Sequence, residues 1–346
     1  METIERKTVG HYFKVLADQQ SIRQRDIAKK LGVERSTISK LYGGVIKADD
    51  SYARMAEFFG LTLEQAVDAA EALAKVLNPQ LLSGEEEVAE EEESAGYVIA
   101  IASEKGGVGK TSLSVNLAMA LAQQGKQVLL VDMDPQGNAT EHLGVESDGE
   151  VLTNLLRGLS GLEDLSVVET DYGFDLLAGG RAVATARADM LVSGTGISKT
   201  DQIIDPLRDI YDVVLIDTPP EAGILQQSAL VAADGVLAPV ILEKFAIDGL
   251  ENLLATIDQV RHYNEDLDYI GCVVTNLDTR KTSQRKIMLH LERHEDASLF
   301  SRHIRTDAKM GEAQLAESPV LHYAPKSKSS KDYHKLAEAI QEVIDG

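Results

Sequence analysis

From residue 97 onward the chain alternates between two hydrophobic rhythms. Short unbroken apolar runs at 98–102, 128–131, 213–216, 235–240 and 270–275 have the length and the Val, Ile and Leu content of strands covered on both faces. Between and after them, at 113–124, 247–263 and 331–344, apolar positions recur at helical spacing. Continuous strands alternating with helices predict an α/β fold, a mostly parallel, doubly wound sheet.

Residues 1–78 follow a different rhythm. Helical spacing recurs there in five short runs, at 9–16, 25–31, 34–41, 52–59 and 63–77. Gly32, Gly43, Gly44 and Gly60 stand just past the ends of runs, where helices stop. Only Gly32 and Val33 separate the second and third runs, the tight connection of a helix-turn-helix. Between the two patterned regions, 79–96 is rich in glutamate and poor in large apolar residues, the composition of an extended tether. The expected organisation is a small all-α helix-turn-helix domain (1–78), an acidic linker (79–96) and an α/β body (97–346).

Composition narrows the classes. The chain has 346 residues, 44% of them hydrophobic, enough for the cores of two domains. No apolar run reaches the roughly 18 residues of a membrane span, and the N-terminus lacks the apolar stretch of a signal peptide. The single cysteine, Cys272, lies in an apolar run and excludes both a disulfide framework and a paired-thiolate cluster. A cytoplasmic protein without a membrane partner is expected. The net charge of −22 falls almost entirely beyond residue 78, so the helical domain is electrostatically a different object from the body.

The chemistry concentrates in Glu104, Lys105, Gly106, Gly107, Val108, Gly109, Lys110 and Thr111, which join an apolar run to a helical one. A glycine-rich turn between strand and helix suits a phosphate: glycines let backbone N–H groups approach, and the helix start adds unpaired donors. Lys110 can reach the β- and γ-phosphates, and the Thr111 hydroxyl, with Ser112 behind it, can ligate Mg2+. Two further apolar runs end in carboxylates. One carries Asp132 and Asp134 before Pro135, a place where aspartate also serves as a plain turn residue. The other ends at Asp217 before Thr218, Pro219 and Pro220, the strand-end carboxylate that holds Mg2+ through water. In open α/β sheets such strand ends face the ligand.

The loop departs from the plain phosphate-loop pattern. Glu104 replaces its first glycine and Lys105 adds a second lysine. In this form it resembles the ParA/MinD family of P-loop ATPases, and the likeness covers nearly all of 97–346. The resemblance implies ATP and Mg2+ as cofactors and a dimer in which Lys105 reaches the partner's phosphates. It implies Lys105, Lys110 and Asp134 as catalytic residues, Asp134 orienting the attacking water. Gly106, Gly107, Val108, Gly109, Lys110, Thr111 and Ser112 would bind the nucleotide, and Thr111, Asp132 and Asp217 would form the metal environment. Asn276 would contact adenine, with Arg305 and Asp307 in the loop that packs on the base; Arg305 stands where that loop normally has proline.

Residues 24–40 resemble the λ-repressor-like (Cro/XRE) DNA-binding family. The likeness implies DNA contacts by Gln24, Arg35, Ser36, Thr37, Ser39 and Lys40. Together the two resemblances imply an ATP-dependent DNA-partition ATPase. It would dimerise on ATP, work with a centromere-binding ParB-like partner, bind an operator through the helix-turn-helix and associate with the nucleoid. Non-specific DNA contact would come from body cations Arg280, Lys281, Arg285, Lys286, Arg302, Arg305, Lys309, Lys326, Lys328 and Lys331. A nucleotide-gated transcriptional regulator and a positioning ATPase for a protein cargo are the alternatives.

Overall fold

The computed structural model describes residues 9, 12, 13, 16, 24–31, 49–67 and 69, then 96–345 except 195, 295 and 296. The chain divides into two compact units, Met1–Ala95 and Gly96–Gly346. In the first, α1 (Gln24–Leu31) and α2 (Asp49–Phe58) bury Ile27, Tyr52, Met55 and Ala56 with Val9, Phe13 and Ala66. Phe13 and Phe59 stack 5.9 Å apart. The Arg54 guanidinium donates to the Leu31 carbonyl and ties α2 to the end of α1. Gly60, at φ +75°, ends this helical stretch. Thr62 and Gln65 then exchange side-chain and backbone hydrogen bonds of 2.8 and 3.2 Å, a capping box that starts the helical turn at 63–67. Of the six expected DNA contacts, Arg35, Ser36, Thr37, Ser39 and Lys40 lie outside the described residues; Gln24 begins α1.

The second unit holds a seven-stranded sheet in the order β3-β4-β2-β5-β1-β6-β7. The strands are β1 (Tyr97–Ile101), β2 (Val128–Asp132), β3 (Val168–Glu169), β4 (Asp175–Leu177), β5 (Val213–Asp217), β6 (Gly235–Val240) and β7 (Asp268–Val274). Every pairing is parallel except β3 with β4. Successive strand residues alternate between two cores. Val98, Ala100, Leu129 and Val131 face one; Ile99, Ile101, Leu130 and Leu215 face the other.

The helices of this unit, in chain order, are α3 (Lys110–Gln123), α4 (Asn138–His142), α5 (Glu150–Arg157), α6 (Val183–Val192), α7 (Lys199–Ile204), α8 (Ile224–Val231), α9 (Ala246–Val260), α10 (Thr282–Leu291), α11 (Ala308–Leu315), α12 (Val320–Tyr323) and α13 (Lys328–Ile344). Residues of α5 to α9 build the first core, and residues of α3, α4 and α11 to α13 the second. Ten of the fourteen residues of α3 are buried, because it lies between the sheet and α13. Two polar ties fix it there: Asn116 Oδ1 accepts from the Val320 N–H at 2.7 Å, and the Tyr333 hydroxyl donates to the Ser112 carbonyl at 3.2 Å. The α3 N-terminus is thereby held at the carboxyl end of the central strands. Among the described residues, no helix is long and apolar enough to cross a membrane.

Candidate nucleotide site

The β1–α3 loop turns through Gly107 at φ +73° and Gly109 at φ +90°, left-handed conformations that favour glycine. A Cβ added at Gly106 or Gly107 would meet no protein atom within 4 Å. The space above these two glycines is open, as a cradle for an anion requires. Lys110 follows on the first turn of α3, only 7% exposed. Burial lowers the pKa of its ammonium, opposed by the charges of Asp217 and Asp134. Three groups that sequence reading placed in separate motifs are therefore electrostatic neighbours.

Sheet register explains the rest. Asp132 and Asp217 are Cα partners at the ends of β2 and β5, and Ile101 at the end of β1 also pairs with Asp217. Both carboxylates are fully buried. Burial is the main cause that pushes Asp217 up to about 7 and Asp132 up to about 6. The Asp132 charge raises Asp217 further; Thr111, Ser114 and Lys110 act the other way.

Their hydrogen bonding differs. Asp132 Oδ2 accepts from the Thr140 N–H (2.9 Å) and hydroxyl (2.8 Å), and its Oδ1 accepts from the Asp134 N–H (3.2 Å). Asp132 is thus bonded into the turn and helix that follow β2. Asp217 Oδ1 accepts from Ser114 at 2.9 Å, while its buried Oδ2 has no hydrogen-bond partner among the described residues. An unpaired carboxylate oxygen beside a phosphate cradle and a threonine hydroxyl fits a hard divalent cation. Thr111 and Asp217 suit Mg2+ on this ground, and Asp132 stands behind them.

Asp134 is 6% exposed and accepts the Gln136 N–H at 2.9 Å. It lines a cavity of about 230 Å3 with Pro135 and Gln136 on one side and Pro219, Pro220 and Glu221 on the other. Arg187 of α6 closes the rim through an ion pair with Glu221 at 3.1 Å. Lys105, by contrast, stays near the surface, its Nζ 2.8 Å from the exposed Glu243.

On the far side of the loop, the Thr275 hydroxyl donates to the Val108 carbonyl at 2.7 Å and fastens the end of β7 to the phosphate loop. Asn276 follows at φ +53°. Arg305 and Asp307 reach this neighbourhood with their side chains turned to structural partners. Arg305 forks onto Asp332 of α13, and Asp307 caps α11 through the Lys309 N–H and α13 through the Lys328 and Ser329 N–H groups. Three of the body cations are likewise paired within the chain: Arg280 with Asp278, Lys309 with Glu312 and Arg305 with Asp332. Lys281, Arg285, Lys286, Arg302, Lys326, Lys328 and Lys331 form no ion pair among the described residues.

Sequence reading missed Ser114, Thr140 and Thr275. Each is an ordinary polar residue whose role depends on which strand end the fold brings beside it.

A family model described as an AAA domain matches residues 96–269. The chain is 38% identical over 244 residues to the chromosome-partitioning ATPase Soj of Thermus thermophilus, spanning 70% of this chain and 94% of that protein. It is 33% identical over 248 residues to the sporulation initiation inhibitor protein Soj of Bacillus subtilis, spanning 71% and 98%. Among solved structures, the septum site-determining protein MinD of Pyrococcus horikoshii, complexed with Mg-ADP, superposes with a TM-score of 0.58 at 26% identity, covering 72% of this chain and 97% of that one.

Proposed function

The chain belongs to the ParA/MinD family of P-loop ATPases, and from that premise we propose that it is a DNA-partition ATPase whose hydrolysis resets an ATP-bound dimer. The observation that carries this reading is the unequal placement of two lysines. Lys110 is buried at the start of its own helix, where it would serve the nucleotide bound by its own chain. Lys105 is partly exposed, and among the described residues its ammonium pairs with the exposed Glu243 alone. Such a pair contributes about 0–1 kcal/mol, so Lys105 is free to leave it for the phosphates of a second copy.

In this reading the loop amides of Gly106 to Ser112 and the Lys110 ammonium hold the phosphates of ATP. Mg2+, bound with ATP, neutralises the phosphate charge, and Thr111 and Asp217 would hold it. Asp132 keeps Asp134 and Thr140 in place. Asp134, facing the cavity between the two strand-end loops, orients the attacking water toward the γ-phosphate. Asn276 contacts the adenine, and residues 303–307 form the wall against which the base packs. The unpaired cations of α10, α13 and the loops before them give the dimer its contact with bulk DNA. The helix-turn-helix residues Gln24, Arg35, Ser36, Thr37, Ser39 and Lys40 bind an operator and repress transcription. A ParB-like protein bound at the centromere accelerates turnover and releases the dimer from the nucleoid. The name of the Thermus thermophilus relative, a chromosome-partitioning ATPase, supports this assignment.

Lys105→Gln tests the carrying observation. The variant should still bind ATP but remain monomeric with ATP in sedimentation velocity. Dimer formation equal to that of the wild type would defeat the cross-dimer role.

A further inference from the structure

In the reading above, the base lies beyond the end of β7. Phosphates belong at the end of β1, and the sheet continues from β1 through β6 to β7. Beyond the end of β7, Thr275 is fastened to the phosphate loop and Asn276 takes its left-handed turn. Residues 304–306 run alongside this turn. The Ile304 N–H donates to the Val274 carbonyl (2.8 Å), the Leu277 N–H to the Ile304 carbonyl (2.9 Å), and the Thr306 N–H to the Leu277 carbonyl (2.9 Å). The Thr306 hydroxyl adds a bond to the Asn276 carbonyl at 3.1 Å.

One side chain from α13 grips this segment from behind. Asp332, 6% exposed, accepts from the Arg305 backbone N–H at 3.0 Å, from Nε at 2.8 Å and from Nη2 at 2.6 Å. The backbone contact matters most, because it fixes where the chain runs and not merely where the guanidinium lies. A proline at 305 would restrict the same backbone through its ring and would have no N–H to offer Asp332. The buried carboxylate in turn needs the arginine, since an unpaired buried charge is strongly unfavourable.

We propose that Arg305 and Asp332 form a positioning pair that sets residues 304–306 against the purine of ATP, supplying the rigidity a proline would otherwise provide. This rests on the reading of 303–307 as the base-side wall. Neither residue touches the reacting phosphates, so the pair acts on nucleotide affinity and leaves the chemical step alone.

The test compares ATP with inorganic tripolyphosphate, which carries the phosphates and no base. In the full chain, Asp332→Asn should raise KM for ATP about tenfold, the scale of one lost charge-assisted hydrogen bond. Turnover should stay within about twofold, and inhibition by tripolyphosphate should not change. Arg305→Lys, which keeps the charge and loses the fork, should give the same split to a smaller degree. It carries the test alone if Asp332→Asn does not fold. The double variant Arg305→Pro with Asp332→Asn should recover most of the affinity for ATP. An unchanged KM, or tripolyphosphate inhibition weakened in step with ATP, would overturn the proposal. Absence of ATP hydrolysis by the unaltered chain would instead overturn the reading of the whole site.

Discussion

Asp217→Asn should make the ligand-free protein more stable at alkaline pH while destroying its activity. Asp217 has no exposed surface and is pushed up to about 7 from 3.8. A rise of that size makes ionisation in the folded, ligand-free chain about 4 kcal/mol harder than in the unfolded chain. The folded state therefore keeps a proton that the unfolded state gives up as pH rises past 4. Stability attached to this group is full in acid and lost as pH climbs through 7. An asparagine keeps the shape and removes the charge. At pH 8, with chelator and without nucleotide, the variant should gain about 1–3 kcal/mol, the lower range because a buried amide still wants partners. For a domain of this size that is a melting point higher by about 3–10 °C. At pH 5 the folded carboxyl keeps its proton while the unfolded one has begun to lose it, so the gain should be well below its pH 8 size, vanishing only below about pH 4. Calorimetry at the two pH values, with phosphate release measured in parallel, checks both halves. Destabilisation at pH 8, or an equal gain at pH 5, would refute the reasoning.

Other substitutions separate the roles of neighbouring groups. Asp134→Ala should cut hydrolysis by about 100-fold or more while nucleotide binding persists; phosphate release at the wild-type rate would remove Asp134 from catalysis. Thr275→Val keeps the shape and deletes the 2.7 Å bond to the Val108 carbonyl. It should raise KM for ATP about fivefold with little change in turnover in steady-state kinetics. Gly179→Ala would place a Cβ 2.3 Å from the Asp132 carbonyl oxygen. It should lower stability by about 1–3 kcal/mol, read from thermal melts, and a melting point equal to that of the wild type would show the Asp132 turn to be more yielding than its packing implies.

The central strands were legible because their signal is local. Unbroken Val, Ile and Leu runs gave β1, β2, β5, β6 and β7 to within a residue or two of their ends. The hairpin of β3 and β4 was not legible, since strands of two and three residues carry no periodicity. Helix α3 begins at Lys110, three residues before its apolar pattern, because the phosphate loop starts it with polar residues. The candidate site divides in the same way. Lys110, Thr111 and Asp217 sit in contiguous motifs whose chemistry can be read from the residues, whereas the role of Asp134 comes from the family resemblance. Ser114, Thr140 and Thr275 gain their roles only when β5, β2 and the phosphate loop come together. Arg305 and Asp307 look like nucleotide ligands in sequence, yet their side chains are turned to α13, a partnership that depends on the docking of a helix some twenty residues downstream.

The most direct measurement is fluorescence anisotropy of the full chain on random-sequence duplex DNA, with ATP or with ADP. Binding should appear with ATP, be weak with ADP and fall steeply as salt rises, because lysine and arginine displace counterions from phosphates. Equal affinity with the two nucleotides, or no binding with either, would contradict the DNA-partition reading.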